Sequence, residues 1–102
     1  MHQAERRKSP RFPLRQPVLL KVPGAEQAFS GVSQNVSKEG LLFEAEAAPL
    51  VGVRGEVVLS LESRLERNIR LSGHCTVLRV APLEAGGYAI ALGCPHALTM
   101  VD

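Results

Sequence analysis

Arg7 and Arg11 stand four positions apart in the run Glu5-Arg6-Arg7-Lys8-Ser9-Pro10-Arg11, and Arg6 adds a further cation beside them. A guanidinium is a planar fork of donors. It matches phosphate oxygens and the O6/N7 edge of guanine, both of which accept two parallel hydrogen bonds. Pro10 and Pro13 bracket Arg11. They disfavour a helix, because each lacks an N–H and drives the residue before it toward extended geometry. The spacing therefore predicts a loop or arm able to fold over an anion. Taken alone, such a run also describes an ordinary solvated tail.

A second segment, Asn35-Val36-Ser37-Lys38-Glu39-Gly40, brings together an amide, a hydroxyl and a glycine. Residues 29–36 alternate as a strand, which places Gly31, Ser33, Asn35 and Ser37 on an outward face and Val32 and Val36 on the other. Asn35 and Ser37 would then look outward together from the core. Gly40 closes the turn, at a position where a positive φ is expected. By itself the segment is also ordinary turn chemistry.

Other chemistries find less support. His74-Cys75 and Cys94-Pro95-His96 suggest a metal, but zinc needs about four ligands converging on one point. On a strand His74 and Cys75 face opposite sides, and Cys75 has the parity of the buried residues, so it reads as a core thiol. No nucleophile–base pair or paired carboxylate marks an enzyme, and Glu44 and Glu46 read as a solvated face. A barrel binding a nucleic-acid polymer needs aromatic stacking platforms and dispersed positive charge. This chain has one Tyr, no Trp, and Phe43 in a buried register.

The distribution of charge sharpens the ligand class. Residues 1–15 hold Arg6, Arg7, Lys8, Arg11 and Arg15 against Glu5, a net +4, whereas the remainder holds seven basic and nine acidic residues, a net −2. Positive potential concentrated at one end suits a small, localised anion better than a long polyanion. No apolar stretch reaches the roughly 20 residues of a membrane-spanning helix, and the N-terminus is too polar for a signal peptide. With no secretion signal, Cys75 and Cys94 are expected to be reduced thiols, and the chain cytoplasmic.

The 102 residues suffice for a single core, and we divide them into a basic arm, 1–16, and a domain, 17–102. Strands are expected over 17–22, 29–36, 41–46, 56–61, 69–80 and 88–92, joined by turns at Pro23-Gly24, Lys38-Glu39-Gly40 and Glu84-Ala85-Gly86-Gly87. Along 69–80 the apolar residues change parity near 77–79, which predicts a bulge. Residues 62–68 read as a hairpin connection, and the tail from Pro95 offers one helical turn at most. Six short strands without a convincing helix predict an all-β fold, a small antiparallel barrel or sandwich.

Together the two polar segments resemble the paired signature of PilZ domains, R-x-x-x-R followed by [D/N]-x-S-x-x-G. The likeness extends through Leu71-Ser72-Gly73-His74-Cys75-Thr76-Val77-Leu78-Arg79-Val80 and Gly87-Tyr88-Ala89-Ile90-Ala91-Leu92. The resemblance implies a six-stranded antiparallel β-barrel that binds the bacterial second messenger cyclic di-GMP. Arg7 and Arg11 would clamp phosphates and guanine edges, Asn35 and Ser37 would bond a base, and Gly40 would admit close backbone approach. An extra arginine before R-x-x-x-R, here Arg6, implies two intercalated ligands per chain, with no other cofactor. Family members often close with Gly-x-Gly and a longer C-terminal helix, where this chain has Ala89, Ala91 and a short tail. The resemblance leaves open an interaction module that does not bind the nucleotide, and a downstream protein partner is expected in either case.

Overall fold

The computed structural model describes residues 12–62 and 68–101. Eight strands follow in order: β1 (Phe12–Pro13), β2 (Pro17–Lys21), β3 (Phe29–Ser37), β4 (Gly40–Ala45), β5 (Arg54–Glu62), β6 (Asn68–Pro82), β7 (Tyr88–Gly93) and β8 (Thr99–Met100). Every pairing is antiparallel. Strands β2 to β7 run in the order β3-β2-β5-β6-β7-β4, and β4 returns to pair with β3. The expected all-β, six-stranded antiparallel barrel is therefore the observed one. Closure leaves its six strands without a free edge, which a small sheet otherwise exposes to other chains.

Alternation builds the interior. Val18 and Leu20, Leu41, Phe43 and Ala45, Val57 and Leu59, Cys75 and Val77, and Ile90 and Leu92 all point inward and are buried. Burying a side chain of Leu, Ile or Phe size contributes roughly 1.5–3 kcal/mol. Leu14, Val36, Leu61, Leu71 and Val80 pack around this core. No helix of the described residues is long and apolar enough to cross a membrane. The tail, expected to offer a helical turn at most, instead lays Thr99–Met100 along β6, opposite Ser72 and Leu71. The connection expected between β5 and β6 falls on residues 63–67, outside the described residues.

Two bulges set which residues face out. One lies between Val77 and Arg79, so the expected parity slip is present and Leu78 is the inserted residue. The other lies between Ser33 and Asn35, with Gln34 inserted, and it corrects the expected alternation of β3. Ser33 is fully buried opposite Phe43, and Val32 is exposed. After the bulge the faces exchange, so Val36 packs on the core while Asn35 and Ser37 share the outer face. An extra residue in one strand reverses the parity of everything beyond it.

The reading of Gly40 is corrected as well. Gly24, Gly52, Gly86 and Gly87 adopt positive φ, but Gly40 does not. A Cβ on Gly40 would overlap the main-chain carbonyl oxygen of Leu92. Close approach of β7, and not a left-handed turn, requires the glycine.

Candidate functional site

Asn35, Leu42, Ala91 and Arg79 form one cross-strand row on the outer wall. On one side lies the row Ser37, Gly40, Gly93 and Thr76; on the other lie Val32, Glu44, Ala89 and Ala81. With neighbouring strands about 4.8 Å apart, Asn35 and Arg79 flank a floor roughly 14 Å across, measured along the wall. Ala89, Ala91 and Gly40 keep much of that floor low, while the Leu78 side chain lies over Gly93. A planar base could lie on it, with an amide and hydroxyl at one side and a guanidinium at the other.

Ser37 is already engaged in the turn it opens. The Glu39 N–H donates to Ser37 Oγ at 3.2 Å, and the Ser37 hydroxyl donates to the Gly40 carbonyl at 3.4 Å. This local pattern is what Ser does at strand ends. Its second lone pair remains to accept from a ligand. Asn35 is half-buried. The Gln34 side-chain nitrogen between these features is buried and finds no hydrogen-bond partner.

Ser33 acts from inside the wall. The Gln16 N–H donates to Ser33 Oγ at 2.9 Å, and the Ser33 hydroxyl donates to the Leu14 carbonyl. The Ser33 N–H in turn reaches the Gln16 carbonyl at 2.9 Å, and the Leu14 N–H reaches the Gln34 carbonyl at 3.2 Å. These bonds hold residues 14–16 against β3. Just before them, β1 pairs Phe12 with Val36 and Pro13 with Asn35. The chain leaving the basic segment thus enters the barrel beside Asn35. Arg6, Arg7 and Arg11 themselves lie outside the described residues.

Two contributors were missed by the sequence reading. Arg79 was legible in principle: once a bulge is placed at Leu78, the next residue must face out with Ala91. Ser33 was not, because polar residues occupy both faces of β3 there and give no parity signal. The structure brings Asn35, Ser37 and Gly40 together as expected. His74, exposed, and Cys75, buried, occupy opposite faces of β6.

A concavity of about 1130 Å³ lies beside this face between the β2–β3 and β6–β7 turns. Its charged lining is Arg15 against Glu26, Glu44 and Glu46, the wrong balance for a phosphodiester. Glu44 borders both this concavity and the Asn35–Arg79 face, and only the latter carries Arg79 across from Asn35.

The described residues define a small closed antiparallel β-barrel, which the chain enters beside Asn35. Residues 5–100 match the PilZ domain family, and the chain belongs to that family. The fold is also similar to the solved structure of the Bacillus subtilis inhibitor of motility, MotI/DgrA, with a TM-score of 0.77 at 16% sequence identity. That likeness covers 95% of this chain and 46% of the other, so the chain spans about half the length of that protein. Comparison with curated proteins finds no match.

Proposed function

We propose that this PilZ domain is a receptor for cyclic di-GMP, bound on the outer face between Asn35 and Arg79 and covered by the arginine-bearing segment. One observation carries the reading: β1 pairs Pro13 with Asn35, two residues after Arg11 in the sequence. At roughly 3.5 Å per extended residue, Arg11 and Arg7 are within chain reach of the Asn35 row. Their forks suit the two phosphates and the guanine Hoogsteen edges of the ligand. Asn35 and Ser37 supply polar contacts to a base edge, and Arg79 closes the far side of the floor by stacking or by pairing with phosphate.

Arg6 supports a second, intercalated ligand, because another cation offsets added phosphate charge and can stack on another base. An arm that closes over ligand turns occupancy into a change of surface, the kind of order change through which a binding module signals to a protein partner. Nothing in the site calls for catalysis; the domain works as an adaptor.

Equilibrium binding of cyclic di-GMP to the whole chain tests the placement. Asn35→Ala should weaken binding by about tenfold, near 1.4 kcal/mol. Unchanged affinity in that variant would remove this face from the site.

A further inference from the structure

Cys75 and Cys94 are both buried and both free, and the register places them face to face. β6 and β7 pair Thr76 with Gly93, so the next antiparallel step sets Cys75 opposite Cys94. The hydrogen bonds fix what kind of pair this is. The Cys94 N–H donates to the Glu39 carbonyl at 2.8 Å, on the β4 side and away from β6. Val77, which shares the parity of Cys75, exchanges its bonds with Gly52 and Val53 on the β5 side. The two cysteines therefore form a pair without mutual backbone hydrogen bonds. In such pairs the Cα atoms approach to about 4.5 Å, inside the roughly 4.4–6.8 Å range that a disulfide spans.

We propose that Cys75 and Cys94 are an oxidisable pair that a peroxide converts into an intramolecular cross-strand disulfide at this end of the barrel. Approach is available, since Cys75 lines a cleft of about 770 Å³ with His74, Thr76, Arg54 and Pro95. The thiols are also differentiated. The Cys75 thiol is pushed far up, chiefly by its hydrogen bond with Cys94 and then by burial. Cys94 is lowered, chiefly by the same bond, against the opposing effect of its own burial. Whichever of the two is the thiolate starts the reaction, since the thiolate is the reactive form, and its neighbour across the strands resolves it.

The chemistry balances. The first thiolate attacks one peroxide oxygen, the S–O bond forms, the O–O bond breaks, and hydroxide leaves to take up the proton that thiol had released. The second sulfur then attacks the sulfenic sulfur, the S–S bond forms, the S–O bond breaks, and the departing hydroxide takes the second thiol's proton. Two thiols and one hydrogen peroxide give one disulfide and two waters. The cross-link would sit beside the Lys38–Gly40 turn, because Cys94 is bonded to Glu39.

Intact-mass measurement of the folded chain after hydrogen peroxide is the test. The expected product is a monomer lighter by two hydrogen atoms, restored by dithiothreitol, with no thiol left for alkylation after denaturation. Of the single variants Cys75→Ser and Cys94→Ser, the one that keeps the attacking thiol should stop at a dimedone-reactive sulfenic acid, and neither should form the intramolecular disulfide. Wild-type protein that keeps both thiols alkylatable, or that cross-links only between copies, would overturn the proposal. The wild-type measurement needs no variant to fold and is independent of nucleotide binding.

Discussion

Asn35 and Arg79 occupy the two ends of one outer-face row, and each is put there by a bulge immediately before it, at Gln34 and at Leu78. Without the first bulge Asn35 would keep the parity of buried Ser33; without the second Arg79 would keep that of buried Val77. A bulge re-aims side chains at the cost of one unpaired residue. Here two of them convert strands patterned for a core into a polar face at matching heights.

Arg79 is the contributor whose role separates most cleanly from stability. It is exposed, so Arg79→Ala should change unfolding free energy by no more than about 0.5 kcal/mol. Its loss should weaken cyclic di-GMP binding by about 1.5–3 kcal/mol, the range for a charge-assisted hydrogen bond. Chemical denaturation and titration of the same preparation give both numbers. Unaltered affinity would confine the site to the β3–β4 side.

Ser33 should behave in the opposite way, affecting ligand from the wrong side of the wall. Ser33→Ala removes the acceptor for the Gln16 N–H and the donor to the Leu14 carbonyl. A loss of about 2 kcal/mol in stability is expected, with hydrogen exchange accelerating first at the Gln16 N–H, which loses its acceptor. Loosening residues 14–16 should also lower nucleotide affinity, though Ser33 cannot touch a ligand on the outer face.

Gly40→Ala should be severe. Its Cβ would overlap the Leu92 carbonyl, so β4 and β7 must part at their ends, at an expected cost of about 3 kcal/mol. Thermal unfolding measures it. A variant as stable as wild type would mean that glycine stands there for the ligand alone.

Gln34→Met tests whether the bulge residue matters by its shape or by its amide. Its buried side-chain nitrogen has no partner, so replacement by an apolar side chain of similar length should stabilise the protein by about 1 kcal/mol. Destabilisation would show that the amide is satisfied in solution.

Much of this was legible in the sequence because the barrel is written in alternation. β4, β5 and β7 read correctly from Leu41, Phe43, Val57, Leu59, Ile90 and Leu92, whose period of two admits one inward face. The slip in β6 was visible because apolar residues mark the strand before it, at Leu71, Cys75 and Val77, and after it, at Val80, and the change of parity among them shows. The slip in β3 was hidden. Ser33, Gln34 and Asn35 are all polar, and hydropathy does not distinguish a serine clamping Leu14 and Gln16 from one facing water. Gly40 misled for a related reason: the sequence names a glycine, but only the approach of β7 says why it is needed.

The central claim is tested most directly by calorimetric titration of cyclic di-GMP into the whole chain, beside Arg7→Ala and Arg11→Ala. Saturation near two ligands per chain, abolished in both variants, is the result expected of a receptor whose arm closes over an intercalated pair. A stoichiometry near one would keep the receptor and remove the second ligand assigned to Arg6. No heat at any concentration from a folded wild-type domain would contradict the receptor reading and leave a PilZ barrel that works by protein contact alone.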